Sequence, residues 1–297
     1  MNSATLPSLE EFLVAPIEEI AKIAPSTVIY GVGGTRRHAV FAGLEPWSEA
    51  YMRWAREETI RCTDLIFRHG VRNLITLPFV PSNLKEVNAY RGQLIEKAKW
   101  GIAGDEALAD YQRLGWRVRL LGAEGIPELE DAAKRLRAAT PSEGQHTLYW
   151  SVASYEAAYW ETLFATVHRT HAQTRSEAIK ALYGEEIPPA TLYLAFGKPL
   201  ISLTIIPPLL IDQLQCYWSQ QPGYMLDERQ LRTILYDYAY LRATWQEEKI
   251  ERAKEALTHR KAWEEGPILG VGMRLGPFWY PAPMSSPAWG TEQEKAA

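Results

Sequence analysis

The feature that most constrains the fold is an alternation of short apolar runs with longer amphipathic runs along the chain. The short runs are rich in β-branched and aromatic residues and almost continuously apolar, which is typical of strands buried on both faces of a sheet. The longer runs have the spacing of helices that connect parallel strands. The predicted strands are residues 27–32, 73–79, 117–122, 147–153 and 191–196, with a further candidate at 201–206. We therefore predict an α/β fold with a central, mainly parallel sheet flanked by helices.

The predicted helices lie between and after these strands. They cover residues 46–69, 82–101, 105–114, 127–139 and 154–183, and a helical C-terminal region covers residues 226–263. A short amphipathic piece at residues 9–23 precedes the first strand. We divide the chain into an N-terminal extension (1–24), a single α/β domain (25–263) and an irregular tail rich in Gly, Pro and aromatic residues (264–297).

The composition argues against several classes of protein. With 32 basic and 36 acidic side chains, the formal net charge is −4, so the chain lacks the basic excess of a nucleic-acid or anionic-membrane binder. Only Cys62 and Cys216 are present, which excludes a disulfide framework and favours a reducing compartment. The first residues do not have the pattern of a signal peptide. The longest apolar stretch, residues 199–211, is too short to span a bilayer. We expect a soluble, cytoplasmic protein without a transmembrane segment.

A glycine-rich turn after the first predicted strand is the strongest candidate for a binding site. Residues 33–39 read Gly-Gly-Thr-Arg-Arg-His-Ala. Glycines let backbone N–H groups approach an anion, and the two arginines can donate paired hydrogen bonds to a phosphate. The turn is not a dinucleotide-binding fingerprint, because Arg36 occupies the position of the third glycine, and it is not a Walker A loop. Taken alone, such a turn is more often a tight connection with solvated charges.

Three further segments fall in the order of a known set of motifs. Residues 79–83 read Phe-Val-Pro-Ser-Asn, residues 115–122 read Gly-Trp-Arg-Val-Arg-Leu-Leu-Gly, and residues 148–158 begin within the fourth predicted strand and contain Ser154-Tyr155. Together with residues 33–39 they resemble motifs of the cis-prenyltransferases, the undecaprenyl diphosphate synthase family. The matching family motifs are Asp-Gly-Asn-x-Arg-Trp-Ala for the turn, then Phe-Ser-x-Glu-Asn, Gly-Val-Arg-Leu-Arg-Val-Ile-Gly and Leu-Asn-x-Ala-x-Asn-Tyr-Gly-Gly-Arg. The resemblance runs over roughly residues 25–245.

The resemblance implies an enzyme of isoprenoid metabolism. The family condenses an allylic diphosphate with isopentenyl diphosphate on a homodimer, with Mg²⁺ and a long apolar tunnel for the growing chain. It also implies that the glycine-rich turn holds a prenyl diphosphate substrate. The diphosphate-binding residues implied in this sequence are Gly33, Gly34, Thr35, Arg36, Arg37 and Asn83.

Several positions depart from the family pattern. The Asp that positions Mg²⁺ is replaced by Gly33, so Mg²⁺ remains possible as a cofactor but without its usual ligand. The Asp after the third strand is replaced by Ala123. Of the late Arg-x-Gly-Gly-Glu-x-Arg-x-Ser signature, which holds isopentenyl diphosphate, only Gly197 and Lys198 could still serve. Each lost charge-assisted bond is worth about 1.5–3 kcal/mol, so ordinary chain elongation is not expected.

Two classes of function fit a chain in which only one of the family's two diphosphate sites is kept. A chain that keeps one anion-holding turn and loses the second diphosphate site could act on a single prenyl diphosphate, by prenyl transfer or by terpene cyclisation. Cyclisation needs a cavity lined by aromatic rings, whose π faces stabilise carbocations. We predict Trp54, Tyr155 and Tyr159 for that pocket, although core packing is the commoner role of such residues. The alternative is a non-catalytic homologue that binds a polyprenyl lipid or serves as a subunit or scaffold. No residue stands out as a catalytic acid, base or metal ligand.

Two features outside the motifs carry weaker hypotheses. Phe278, Trp279 and Tyr280 lie in the irregular tail, which is either a strap on the surface or a lid or dimer arm over an apolar opening. His168 and His171 have a spacing close to that of metal ligands, but a solvated helix face is the preferred interpretation.

Overall fold

The fold is built on a parallel sheet, seen in a computed structural model that describes residues 7–46, 48–84, 89–196, 206–219, 221–241, 273–275 and 278–280. Its strands are β1 (Thr27–Gly31), β2 (Asn73–Thr76), β3 (Arg117–Leu121), β4 (Thr147–Ser151), β5 (Ala190–Phe196) and β6 (Ile211–Ser219). They form one sheet in the order β3-β4-β2-β1-β5-β6, and every neighbouring pair is parallel. A separate antiparallel pair consists of β7 (Met273–Leu275) and β8 (Phe278–Tyr280). The predicted α/β fold with a central parallel sheet is confirmed.

Helices connect and flank the strands. They are α1 (Leu9–Val14), α2 (Ile17–Ala21), α3 (Thr35–Phe41), α4 (Glu49–Arg68), α5 (Pro81–Leu84), α6 (Ala89–Ala103), α7 (Asp105–Leu114), α8 (Glu130–Ala139), α9 (Ala158–Thr170), α10 (Arg175–Tyr183) and α11 (Glu228–Tyr236). A 3₁₀ turn at Pro127–Leu129 leads into α8, and a π-helical turn at Asp237–Leu241 follows α11. Within the described part of the chain, no helix is both long and apolar enough to cross a membrane.

The sheet is covered on both faces, and alternate residues of each strand enter different cores. Val28 and Tyr30 of β1 join the larger core with α4, α6, α7, α8 and α11, whereas Ile29 joins a smaller core with α10. The same alternation separates Leu74 from Ile75 in β2. Because side chains alternate across a sheet with a period of two, a strand buried on both faces must be apolar at nearly every position. This explains the continuous apolar runs seen in the sequence.

The prediction of one continuous helix over residues 154–183 is wrong. The helical region begins at Ala158 and is broken after Thr170, where His171 takes a left-handed conformation with φ 55° and ends α9. Thr174 then caps α10, because its hydroxyl accepts a hydrogen bond from the Glu177 N–H at 3.2 Å. An N-cap hydroxyl satisfies a backbone donor that a helix start leaves open, so the sequence favours a new helix there.

The strand β6 was missed because its sequence does not have the pattern of a buried strand. It lies at the edge of the sheet, and Asp212 and Gln213 are exposed. The candidate strand at 201–206 lies outside the described residues except for Ile206, which is buried in the smaller core. The C-terminal helical region is confirmed from Glu228 to Tyr236, and its prediction beyond residue 241 lies outside the described residues.

The N-terminal helices pack on the α/β core. Phe12 of α1 and Ile20 of α2 are buried, and Arg232 of α11 donates hydrogen bonds to the carbonyl oxygens of Leu13 and Ala15 at 3.0 and 2.8 Å. These contacts link the first helices to the last one. The division of the chain at residues 24 and 263 stays a prediction.

Candidate active site

The glycine-rich turn lies where the order in which the chain adds strands to the sheet reverses. β1 pairs with β2 on one side and with β5 on the other. After β1 the chain forms β2, β3 and β4 on the first side, and only then crosses to form β5 on the second side. In open parallel sheets, ligands bind beyond the carboxyl ends of the strands at such a switch point. The turn that follows Gly31 is therefore in the place where this fold binds ligands.

The backbone of the turn requires a glycine and brings an arginine back over it. Gly34 has φ 73°, a left-handed conformation that glycine adopts without strain, and α3 begins at the next residue. A methyl group at Gly34 would lie 2.9 Å from Nη2 of Arg37 and 3.2 Å from Cα of Pro222. The Arg37 guanidinium is thus folded over the turn and not extended away from it. Arg36 and Arg37 are both exposed, as an anion-binding side chain must be before its ligand arrives.

A second turn holds the glycine-rich turn in place. The Gly223 N–H donates a hydrogen bond to the Gly33 carbonyl oxygen at 2.8 Å. The hydroxyl of the buried Tyr30 donates to the Gly223 carbonyl oxygen at 2.8 Å. Because Tyr30 and Gly223 are both buried, these hydrogen bonds fix the turn against the end of β1. The site is therefore positioned before any ligand binds.

The hydroxyl groups of Thr35 and Tyr51 meet at the entrance. Their oxygens are 3.2 Å apart, and Tyr51 is buried at the start of α4. Ser48 caps this helix by accepting a hydrogen bond from the Tyr51 N–H at 3.1 Å. Two hydroxyls beside two guanidinium groups form a set of donors suited to phosphate oxygens.

A cavity of about 640 Å³ opens from the corner formed by Gly34, Thr35, Arg36 and Arg37, and lies between α4, α6 and the sheet. Its volume falls within the range of about 300–1,000 Å³ that small-molecule sites occupy. One face of α4 lines it at the spacing i, i+3, i+4, i+7, i+8. The residues that line it are Val32, Gly34, Thr35, Arg36, Arg37, Tyr51, Met52, Ala55, Arg56, Thr59, Ile60, Thr76, Leu77, Pro78, Phe79, Val80, Leu94, Lys97, Ala98, Gly101, Ile102, Tyr111, Trp150 and Tyr224.

Aromatic rings contribute much of the cavity wall. The Trp150 indole N–H donates to the Tyr111 hydroxyl at 3.3 Å, and the Tyr224 hydroxyl lies 2.9 Å from Oγ1 of Thr59. Burial raises the pKa of both Tyr111 and Tyr224 far above the ordinary range of a phenol. These phenols therefore stay neutral, and their rings face the cavity without bringing a negative charge into it.

The charged residues in the described part of the lining are all basic. Arg36, Arg37, Arg56 and Lys97 line the cavity, and Arg56 forms ion pairs with Asp110 and, at 3.1 Å, with Glu106. Among the described residues that line the cavity there is no Asp, Glu or His. Nor do three or more His, Cys, Asp or Glu side chains come together as a metal site anywhere in the described ranges. Since Mg²⁺ is held in proteins by carboxylates, this lining does not fit an ion with protein ligands.

The predicted aromatic pocket residues are not brought together at this cavity. Trp54 lies behind the lining face of α4, with its ring 5.0 Å from that of His38 and 5.5 Å from that of Tyr224. Tyr155 and Tyr159 line a separate cavity of about 100 Å³ beside α9 and α10. Tyr159 is buried, and its hydroxyl lies 2.7 Å from that of Ser151. The aromatic residues of the large cavity are Tyr51, Phe79, Tyr111, Trp150 and Tyr224.

The remaining predicted residues have different outcomes. Gly34, Thr35, Arg36 and Arg37 meet at the mouth of the cavity, and Gly33 precedes them in the same turn. Asn83 lies in α5, directly after the cavity wall formed by Phe79 and Val80, but its side chain lies outside the described residues, as do Gly197 and Lys198. His168 lies in α9, whereas His171 ends that helix in a left-handed conformation, so the two do not share a helix face. The side chains of Phe278, Trp279 and Tyr280 lie outside the described residues.

Sequence reasoning missed Tyr51, Arg56, Tyr111, Trp150 and Tyr224. A usable signal existed for Tyr51 and Arg56, because both lie on α4, the first long helix after the glycine-rich turn, and on the side of that helix that lines the cavity. The sequence signal for Trp150 was weaker. It shows only that Trp150 and the neighbouring Tyr149 lie on opposite faces of β4. Tyr224 had none, because only the folded chain brings its turn to β1.

Comparison with known proteins gives two relatives of similar length. The chain is 45% identical over 276 residues to (+)-kolavelool synthase of Herpetosiphon aurantiacus, covering 93% of this chain and 96% of that protein. It is 28% identical over 252 residues to tuberculosinyl adenosine transferase of Mycobacterium tuberculosis, covering 80% and 84% of the two chains. No protein-family model matches the chain.

Solved structures with the same fold have far lower identity. Lavandulyl diphosphate synthase from Lavandula x intermedia, in complex with dimethylallyl diphosphate, superposes with a TM-score of 0.56 at 12% identity, covering 74% of this chain and 97% of that one. A probable undecaprenyl diphosphate synthase from Campylobacter jejuni gives a TM-score of 0.55 at 14% identity, covering 73% and 96%. The fold is that of cis-prenyltransferase-like proteins. With the relatives above, the chain belongs to the cis-prenyltransferase-like family.

Proposed function

We propose that this protein is a terpene synthase that ionises a single allylic prenyl diphosphate and converts the resulting carbocation into a terpenoid product. The observation that carries this proposal is the direct opening of the Arg36 and Arg37 corner into a mainly apolar cavity of about 640 Å³. A prenyl diphosphate has the same division, with an anionic head and a hydrocarbon tail. The cavity thus matches the substrate in charge and in polarity.

The lining favours ionisation over protonation as the first step. A cation can arise from an alkene only if an acid protonates it, and the described lining contains no carboxylic acid or imidazole. Departure of the diphosphate needs no such acid. The guanidinium groups stabilise the negative charge that develops on the leaving group, which is electrostatic catalysis by preorganised donors. The C–O bond breaks, its electron pair leaves with the diphosphate, and the cation stays in the cavity.

The aromatic wall supports the cation after the diphosphate has left. The side chains of Phe79 and Trp150 line the cavity, and the π face of such a ring attracts a cation by about 0.5–2 kcal/mol. The neutral phenols of Tyr111 and Tyr224 add two further rings. Since no described lining residue is a carboxylate, the departed diphosphate is the base that takes the proton lost on forming the product.

The relatives support two closely related reactions. The relative at 45% identity is named for the synthesis of kolavelool, which supports formation of a terpenoid from one prenyl chain. The relative at 28% identity transfers a tuberculosinyl group to adenosine, which supports a second candidate, transfer of the prenyl group to an acceptor. The first is preferred because the identity is higher and covers more of the chain.

The test is product analysis with purified protein and a panel of prenyl diphosphates of increasing chain length. We expect one of them to be consumed and a terpenoid to appear in gas chromatography with mass detection. Arg36→Ala and Arg37→Ala should each lower kcat/KM about 10- to 100-fold, since each removes a charge-assisted bond worth about 1.5–3 kcal/mol. Arg53→Ala is the matched control, because Arg53 is exposed and pairs with Glu49 away from the cavity lining.

Three outcomes would contradict the proposal. Full turnover by the double variant of Arg36 and Arg37 would show that the diphosphate binds elsewhere. A prenyl lipid recovered unchanged, at one per chain, would favour the non-catalytic lipid-binding alternative. Appearance of the prenyl group on an added nucleoside, with no terpenoid formed from the substrate alone, would favour the transferase.

We also propose that the protein is a cytoplasmic homodimer. The proposal of a dimer is supported by membership of the family, and the cytoplasm by a sequence with only two cysteines, Cys62 and Cys216. Light scattering during gel filtration should give a mass near twice 33.7 kDa. A mass near that of one chain would contradict the dimer.

A further inference from the structure

We propose that the protein binds the diphosphate through its own cations, with no Mg²⁺ ion held by a protein carboxylate. This inference rests on the proposed function, since it concerns how the same corner holds the substrate head group. The resemblance left Mg²⁺ possible as a cofactor, although Gly33 replaces its usual Asp ligand, and this inference goes against that possibility.

The donor set of the corner is the first argument. The residues that reach the mouth of the cavity from the turn and α3 are Gly34, Thr35, Arg36 and Arg37, and Tyr51 adds a hydroxyl. All of their side-chain groups are cations or neutral hydroxyls. Mg²⁺ requires oxygen ligands and is usually anchored by one or two carboxylates. Nothing in this set supplies one, because the position of the motif's Asp is Gly33.

Two carboxylates that contact Arg56, a residue of the lining, are already committed to arginines. Glu106 lies 3.1 Å from Nη2 of Arg56, and Asp110 pairs both with Arg56 and, at 3.0 Å, with Arg113. Both acids stand on α7, behind Arg56, and neither lines the cavity. Recruiting them to a metal would leave the Arg56 side chain, whose exposed fraction is 12%, without its counter-ions.

The charge balance is the second argument. Besides Arg56, the lining carries Arg36, Arg37 and Lys97, whose positive charges face a multiply charged diphosphate anion. A dication placed in the same corner would be repelled by these side chains, and the repulsion is strong where protein excludes water. In a site with a carboxylate that repulsion is offset. The described residues that line the cavity include no carboxylate that could offset it, so we expect that Mg²⁺ does not strengthen binding of the diphosphate.

The test measures binding and not turnover. Inorganic pyrophosphate and geranylgeranyl S-thiolodiphosphate, an analogue that resists ionisation, are titrated by calorimetry in EDTA and again in millimolar MgCl₂. For the wild-type protein we expect the two dissociation constants of each probe to agree within about threefold, or Mg²⁺ to weaken binding. Arg37→Ala should weaken binding about tenfold or more in both buffers. Binding that is lost in EDTA, or tightened about tenfold by Mg²⁺, would overturn the inference.

A gain-of-response variant sharpens the test. Gly33 does not have the positive φ of Gly34, so an Asp side chain is compatible with its backbone. Gly33→Asp should bind pyrophosphate more weakly than wild type in EDTA and should recover about tenfold or more when Mg²⁺ is added. Gly92→Asp is the control, since Gly92 is exposed on α6, does not line the cavity, and has nothing within 4 Å of the position that a Cβ atom would take there. A Mg²⁺ response that is the same in wild type, Gly33→Asp and Gly92→Asp would count against the inference.

The outcomes separate this inference from the proposed function. Metal-independent binding of both probes without any turnover would leave the inference standing and contradict the synthase. Turnover that requires Mg²⁺, together with binding that Mg²⁺ tightens, would leave the synthase standing and overturn the inference. If Gly33→Asp does not fold, as judged by circular dichroism, the wild-type titrations alone decide.

Discussion

Gly34→Ala tests whether the shape of the turn, and not only its charge, makes the site. The added methyl group would force a left-handed φ of 73° on an alanine, which costs about 1–2 kcal/mol. It would also lie 2.9 Å from Nη2 of Arg37, closer than real contacts allow, so the guanidinium must shift from its position over the turn. Loss of one charge-assisted bond to the diphosphate corresponds to about 1.5–3 kcal/mol. We therefore expect kcat/KM to fall about 10- to 100-fold.

Gly43→Ala is the matched control for backbone strain. Gly43 has φ 72°, almost the same as Gly34, but nothing lies within 4 Å of the position that its methyl group would take. Both variants should lose about 1–2 kcal/mol of unfolding free energy in urea titrations. Only Gly34→Ala should also lose activity, measured by steady-state kinetics on the prenyl diphosphate that the wild-type protein consumes. Equal activity loss in the two variants, or none in either, would refute the reasoning that Arg37 is positioned by the turn.

Two further predictions concern stability. Tyr30→Phe removes one of two donors to the Gly223 carbonyl oxygen, which still accepts a hydrogen bond from the Leu226 N–H at 3.1 Å. The free energy of unfolding should therefore fall by about 0.5–1.5 kcal/mol. Tyr155→Phe, at an exposed side chain, should be nearly neutral, and an equal loss in both would contradict this. Burial lowers the pKa of His69, whose Nδ1 lies 2.8 Å from the Leu65 carbonyl oxygen. The unfolded chain therefore takes up a proton near pH 6.5 while the folded chain does so only at lower pH, so stability should fall as the pH drops below about 7. Urea titrations of wild type and His69→Gln across this range should show a smaller pH dependence in the variant, and identical slopes would contradict the assignment.

Much of the architecture could be predicted because a strand buried on both faces has a characteristic local composition. β1 to β5 were each found within a few residues of their observed ends, since strands covered on both faces must be apolar almost throughout. α7 was predicted with the bounds that the structure has, Asp105–Leu114, and Gly115 ends it with φ 67°. β6 was missed because an edge strand needs only part of its surface covered, and its polar residues resemble those of a loop.

The candidate site was predictable in its anion-holding part and not in its aromatic part. Gly34, Thr35, Arg36 and Arg37 are contiguous, so one short motif contains the whole corner. The aromatic lining comes from five separate segments, and no local pattern distinguishes a ring that faces a cavity from one that faces a core. Tyr155 and Tyr159 were predicted for the pocket on composition alone, and they lie beside a different cavity.

The sequence by itself determined the class of fold, the place of the anion-holding turn and the loss of the acidic residue at Gly33, because each is written in residues that are neighbours along the chain. Only the tertiary structure decided which side chains share the cavity, how Pro222 to Tyr224 hold the turn, and that Glu106 and Asp110 are committed to Arg56. The physical reason is that these contacts join residues from distant segments. Their distances depend on how helices pack across the sheet, which local periodicity does not encode.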